Sequence, residues 1–205
     1  MSKRARSGGE ADEGEGAVLS MAVSEKRDHI LGPSSAGVTL VEYGDYECPY
    51  CGAAHLVLKK LMAQMGDGMR LVFRNFPLKQ IHPYAMHAAL AAEAAGGQGR
   101  FWEMHDMLFE HQQSLEDEAL VAYAGKLGLD VARFEKELEE GAYADRVRED
   151  FLSGARSGVN GTPTFFINGQ RFDGAADLES LSKAMSGEGK VRAGGERAKG
   201  QRRRE

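Results

Sequence analysis

The sequence predicts an α/β fold in one domain with an all-helical insertion, and three observations carry that prediction. Short β-branched-rich runs bounded by glycine flank a helical pattern between residues 38 and 75. Residues 80–157 then carry helical periodicity only, and two further strand-like runs follow, joined by Asn168–Gly169. At 205 residues the chain is long enough to bury a sizeable core without disulfide staples. No stretch approaches the roughly 18 uninterrupted apolar residues of a membrane span.

Each element follows from a local signal. Residues 38–43 (VTLVEY) and 69–75 (MRLVFRN) have the composition of buried strands. Between them Pro49, a residue suited to the first helical position, opens a run in which Leu56, Leu58, Leu61, Met62 and Met65 recur at helical spacing until Gly66. Together they make a βαβ unit sized for a right-handed parallel crossover. The insertion begins with YAMHAALAAEAAG, which ends at Gly96–Gly97. FWEMHDMLFEH places Phe101, Met104 and Leu108 on one face, and Ser114 with Asp117 forms a capping box ahead of Leu120, Ala124 and Leu127. Asp130 caps VARFEKELEE, and Tyr143, Val147 and Phe151 form a stripe that stops near Gly158. GTPTFFINGQRF is a hairpin about Asn168–Gly169, and a last helix capped by Asp177 carries Leu178, Leu181 and Met185. The coarse order is β-α-β, four or so helices, then β-β-α.

Composition shifts set the domain limits. Residues 1–20 carry charge and glycine with almost nothing to bury, and are expected to form a disordered tail. Residues 21–187 are the domain, with the insertion at about 80–157. Residues 188–205 form a basic tail whose Lys190, Arg192, Arg197, Lys199, Arg202, Arg203 and Arg204 sit on a chain of net charge −5. The tail is therefore an appendage to an acidic body, and without interleaved aromatics it is expected to be solvated rather than to bind nucleic acid. MSKRARSGGEADEGEG has no apolar h-region, so no signal peptide is expected and the protein is placed in the cytoplasm; a start assigned downstream of a true signal sequence would move it to the periplasm.

Cys48 and Cys51 are the only cysteines. In a reducing compartment a stable structural disulfide is unusual, so chemistry or metal binding is expected of them. Cys48 follows a strand and turn, and Pro49 opens the helix, so Cys48 falls at or next to the N-cap. Unpaired backbone N–H groups and the positive end of the helix dipole favour a thiolate there, lowering such cysteines to roughly 3.5–7.5. Cys51 lies one turn in on the same side, close enough for a disulfide. An exposed Cys48 would attack and a more buried Cys51 would resolve the mixed disulfide. A C-x-x-C also fits half of a zinc site, with His55 completing C-x2-C-x3-H and His82 or His87 as fourth ligand. Pro49 at a helix start matches the redox arrangement better than the tight turn of a zinc knuckle. His82, His87, His105 and His111 otherwise read as surface or core histidines, and Phe101, Trp102, Phe109 and the methionines read first as core.

The stretch V-x-L-V-E-Y-x-D-Y-x-C-P-Y-C, preceded by DHILGPSSAG and followed much later by V-N-G-T-P-T-F-F-I-N-G, resembles the DsbA-like branch of thioredoxin-fold thiol-disulfide oxidoreductases. The resemblance runs over residues 25–186. CPYC alone also occurs in glutaredoxins; the long helical stretch favours the DsbA-like branch. It implies a thioredoxin fold, β-α-β then β-β-α, with a helical insertion, and disulfide exchange with protein or peptide dithiols. By resemblance Cys48 is the nucleophile and Cys51 the resolving cysteine, and their disulfide is the only redox group expected, with no other cofactor and no metal. Thr162–Pro163 is similar to the family's cis-proline loop, the alternative being an ordinary trans proline opening a strand. Pro49, Tyr50, Thr162 and Pro163 are the expected substrate-binding residues, with the Thr162 backbone able to pair with an extended peptide. Glu42 is similar to the acidic residue that sits beneath the cysteines, where burial would raise its pKa and let it take the Cys51 proton; the alternative is an exposed strand-end carboxylate like Asp45 and Glu47. A non-catalytic binding module or redox sensor, and a zinc-stabilised structural domain, remain the other readings. Redox partner and direction of exchange are not legible.

Overall fold

The computed structural model describes residues 17–187, and its architecture follows from one strand that is buried on both faces. Strand β2 (Val38–Gly44) lies at the centre of a five-stranded sheet of order β1-β3-β2-β4-β5, where β1 is His29–Leu31, β3 Met69–Asn75, β4 Thr164–Ile167 and β5 Gln170–Phe172. β2 and β3 are parallel, joined over helix α1 (Pro49–Met65) and one 3₁₀ turn at Gly66–Gly68; β1 pairs β3 antiparallel, and β4 pairs β2 antiparallel. Asn168 and Gly169 both take positive φ, 49° and 85°, which twists the β4–β5 turn in the sense hairpins favour.

The period-two alternation of β2 separates two cores. Leu40 packs with Ala54, Leu58 and Leu61 of α1 and with Leu181 and Met185 of helix α7 (Leu178–Met185). Val41 and Tyr43, on the opposite face, pack with Val72, Phe76 and Phe166. Glu42 shares the Leu40 face, and so points beneath α1. Five helices fill the insertion: α2 (Ala85–Gly96), α3 (Phe101–Glu110), α4 (Asp117–Lys126), α5 (Val131–Glu139) and α6 (Ala144–Arg156). They bury a third core that reaches back to Tyr46, Phe73 and both cysteines. The fold is thus the thioredoxin arrangement with a helical insertion.

Several local expectations change. Asp130 and Asp177 do cap α5 and α7, accepting from Arg133 and Ser180 N–H. Ser114 does not cap α4: the N-cap is Glu116, and the Ser114 carbonyl accepts from the Tyr123 hydroxyl instead. Leu56 faces solvent rather than the core. The tail expected over residues 1–20 falls outside the described residues up to residue 16, as does the basic tail at 188–205. Residues 17–20, however, are fastened to the domain: Val18 bridges Gln170, Arg171 N–H donates to the Ala17 carbonyl, and Ser20 hydrogen bonds Ser153 of α6 and Ser157 at its C-cap.

From there the chain runs as a belt to β1. Beneath it Arg74 is completely buried, its guanidinium donating to Asp28, to the Tyr43 hydroxyl and to the Met21 and Ala22 carbonyls. Burial works against the charge on Asp28, yet the Arg74 hydrogen bonds prevail and hold its carboxyl below the usual range.

Candidate active site

Cys48 is the N-cap of α1, with extended φ/ψ of −70° and 121°, and Pro49 occupies the first helical position. The Cys48 carbonyl accepts from Gly52 N–H, closing the first turn. Cys48 and Cys51 are both free thiols. Their environments differ in charge preference. Cys48 is lowered to about 5, first by the hydrogen bond from the Cys51 thiol, then by the neighbouring Thr162 side chain and by the backbone N–H groups of Cys51 and Tyr50, against the opposing effect of burial. Cys51 is pushed well above the ordinary thiol value by burial, by its bond to Cys48 and by the charges of Glu42 and Cys48.

The expectation of an exposed Cys48 needs correcting. Only 4% of it reaches solvent, against 0% of Cys51. The cause is the loop opposite: the Thr162–Pro163 peptide is cis, and the Thr162 carbonyl lies 3.4 Å from Cys48 Sγ, where a neutral thiol donates to it. Thr162 Oγ1 is buried there without a hydrogen-bond partner. Between the cysteines both Pro49 and Tyr50 are exposed, Tyr50 at 74%. The cis Thr162–Pro163 loop therefore meets the Cys48 sulfur through the Thr162 carbonyl, although 114 residues separate Cys48 from Thr162.

Glu42 is 1% exposed and Oε1 has no hydrogen-bond partner, so the alternative of an exposed strand-end carboxylate does not hold. It lies within β2 opposite Phe73 and Phe165. Desolvation, then the Cys48 charge, raises it to about 8. Asp45 is buried as well, not exposed.

Asp45, His82, Gln112 and Gly52 lie around the two cysteines. Asp45 N–H donates to Cys51 Sγ at 3.5 Å, while the Asp45 carboxylate accepts from Glu47 N–H and Leu78 N–H and bonds His82 Nδ1 at 2.8 Å. Gln112 Nε2 donates to the Tyr46 and Cys48 carbonyls, at 2.7 and 2.9 Å, and so ties the insertion to the cysteine turn. Gly52 makes room for it, since a Cβ there would clash with the Gln112 side-chain amide.

A zinc site built on the cysteines is not assembled. His82 is engaged by Asp45 and His87 by Asp117, and among the described residues no metal-capable group of three includes Cys48 or Cys51. His55 stands instead beside His105 and Asp106. Burial lowers both imidazoles, His105 strongly.

Known proteins share this fold. The family model described as thioredoxin matches residues 24–186. Among solved structures, BdbD from Bacillus subtilis superposes with a TM-score of 0.72 at 24% identity, covering 85% of this chain and 98% of that one. A thioredoxin-like oxidoreductase from Silicibacter pomeroyi gives 0.71 at 26% identity, covering 82% and 95%. DsbA2 from Pseudomonas aeruginosa gives 0.63 at 26% identity, covering 81% and 97%. Curated relatives include the Na(+)/H(+) antiporter NhaA 1 of Salinispora arenicola, 48% identical over 168 residues, and the Na(+)/H(+) antiporter NhaA of Herminiimonas arsenicoxydans, 44% identical over 168 residues. The matches cover 82% of this chain but 26% and 27% of those relatives, so the chain spans about a quarter of their length. Fold, insertion and the match over residues 24–186 agree: the chain belongs to the thioredoxin family and has the DsbA-like fold of that family.

Proposed function

We propose that this chain is a thiol-disulfide oxidoreductase that exchanges disulfides with protein or peptide dithiols, with Cys48 as the attacking and leaving sulfur and Cys51 as its resolving partner. The single observation that carries the proposal is the asymmetry of the pair: a thiol lowered to about 5 stands at a helix N-terminus, beside one that burial holds protonated. That asymmetry favours donation of a disulfide. A substrate thiolate attacks Cys48 Sγ of the Cys48–Cys51 disulfide, the S–S bond breaks, and Cys51 leaves with the electron pair. Glu42, still protonated at neutral pH, supplies the proton that the Cys51 thiolate takes up. A second substrate thiolate then attacks the substrate sulfur of the mixed disulfide and expels Cys48 as a stable thiolate. The substrate has lost two electrons and the pair has gained them.

Tyr50 and Pro49 on one side and Thr162 and Pro163 on the other form the substrate cleft in this proposal, with Thr162 offering backbone to an extended peptide. Thiol substrates fit a sulfur that is covered on one side by backbone rather than by a small-molecule pocket. The redox partner that reoxidises the pair is a second protein or small disulfide. Relatives named Na(+)/H(+) antiporters hold a similar stretch within much longer chains, and ion exchange is not proposed for this chain.

The test is to trap substrates in cells. Cys51→Ser is expected to accumulate mixed disulfides that Cys48→Ser does not, and equilibration with glutathione buffers should give a potential more oxidising than the roughly −270 mV of thioredoxin. Equal trapping by both variants, or a pair that never cycles, overturns the proposal. Binding of a partner without turnover of insulin or a small disulfide would make the domain a redox-sensing module instead.

A further inference from the structure

One helical turn beyond Cys51, α1 presents His55 to α3. There, one ring nitrogen of His55, one of His105 and one carboxylate oxygen of Asp106 lie within 4.8 Å of one another. The His55 side chain is 5% exposed, and its Nε2 is buried with no hydrogen-bond partner, 3.6 Å from Asp106 Oδ1. A buried polar atom left in that state costs about 1–3 kcal/mol. The Asp106 carboxylate at 3.6 Å lies beyond hydrogen-bond distance, which leaves room for a cation shared by the two groups.

His105 is prepared in the same sense. Its Nδ1 is taken by the Tyr46 hydroxyl at 3.1 Å, which leaves Nε2 for an incoming ligand. Phe73, Trp102 and Phe109 pack around the ring edge-on and keep it from turning. A hydrogen bond that fixes the ring from the far nitrogen is the arrangement metal-binding histidines use. All three residues line a cavity of about 190 Å³ between α1 and α3, walled by Leu58, Met62 and Trp102.

We propose that His55, His105 and Asp106 bind a divalent d-block cation, zinc, with water in the fourth position. Two imidazoles and one carboxylate suit zinc, whereas calcium and magnesium take oxygen donors. Zinc held at roughly 2.0–2.2 Å from each donor sets the donors roughly 3.3 Å apart, so the group closes by about 1.5 Å at most. Asp106, with 44% of its side chain exposed, is the residue free to move. Lys59 occupies the cation's electrostatic place meanwhile: its ammonium lies 3.0 Å from Asp106 Oδ2 and 3.1 Å from Glu110 Oε1. Zinc on Oδ1 brings a second positive charge close to Lys59, which weakens the site without removing a donor. Bound zinc pins α1 to α3 behind the thiols and takes no ligand from them.

The test uses the full chain with Cys48 and Cys51 both replaced by serine, so that neither thiolate ligation nor disulfide exchange enters the measurement. Zinc chloride is titrated in competition with a chromophoric chelator, and melting temperature is followed in parallel. One equivalent of zinc per chain is expected, with a zinc-dependent rise in melting temperature. His55→Gln and Asp106→Asn should each weaken binding by at least about tenfold, and Lys59→Met should tighten it. Asp106→Asn alters an accessible side chain, and circular dichroism verifies that it folds even where His55→Gln does not. Zinc left entirely with the chelator, or uptake unchanged by Asp106→Asn, overturns the site.

Discussion

At neutral pH Glu42, raised to about 8, keeps its proton, while Cys48, lowered to about 5, has lost its own. Both states are set by surroundings that the residues cannot escape, a strand interior for one and a helix start for the other. Alkylation of Cys48 by iodoacetamide should therefore rise as pH passes about 5 and level off above it, which a rate–pH profile reads directly. Glu42→Gln should leave that midpoint in place, because Glu42 is already neutral at pH 5. It should instead slow the opening of the Cys48–Cys51 disulfide by a substrate thiolate, the step in which Glu42 gives Cys51 its proton, by about 10²-fold, within the range expected of general acid–base catalysis, as seen in stopped-flow quenching. Within the candidate site CPYC makes both thiols legible from local sequence, and the family resemblance makes Glu42 legible. Asp45, His82 and Gln112 are not. Their bonds span 37 and 66 residues, and nothing in a lone Gln or His announces a partner so far along the chain. The burial of Cys48 is hidden from the local sequence for the same reason, since the Thr162 carbonyl that covers it arrives from the other end of the fold.

Among the elements, α1, β2 and β3 were readable because hydrophobic period and punctuation agreed, and Asp130 and Asp177 marked true helix starts. Strand β1 escaped notice: three residues are too few for alternation to register, and its partner β3 lies some forty residues on. The α4 start was misplaced because Ser114 fits a capping pattern, yet its carbonyl is taken by Tyr123 and the helix begins later. Helix α6 was found by its Tyr143, Val147 and Phe151 stripe, but its fully buried positions include Asp150, Ser153 and Gly154. These contribute small size and hydrogen bonds rather than apolar area, so periodicity overlooks them. A methyl added at Gly154 would come within 2.8 Å of Phe76 and 2.9 Å of Tyr43. Gly154→Ala should destabilise the protein by about 1–3 kcal/mol through overpacking, measured by urea denaturation.

Across the whole molecule the two shifted groups oppose one another in their effect on stability. Glu42 holds its proton in the folded protein over a range where the unfolded chain has lost it. Its contribution is thus complete below about 4.5 and declines as pH rises through 8. Cys48 acts in the other sense, adding stability that is complete above 9 and lost as pH falls through 5. Oxidation removes the thiol and leaves Glu42 alone. Thermal melts between pH 5 and 8 should show the oxidised protein losing stability as pH rises while the reduced protein changes little, and Glu42→Gln should abolish the decline of the oxidised form and leave the reduced form gaining stability with pH. The order of elements and the helical insertion were visible in the sequence, whereas the route of the first described residues was not, because Lys, Glu and Gly around them hide the few that pack. Val18 meets β5 at one edge of the sheet, and His29–Leu31 meets β3 near the other, so the segment between them is a girdle around one face. Anyone excising this domain, or grafting it onto another polypeptide, inherits a constraint from that path. A boundary cut at Ser24 would strip Arg74 of the Met21 and Ala22 carbonyls and leave a guanidinium half-served inside the protein. Such a fragment should melt several degrees below one that starts at Ala17, and a working fusion joint belongs upstream of the girdle, on the β5 side.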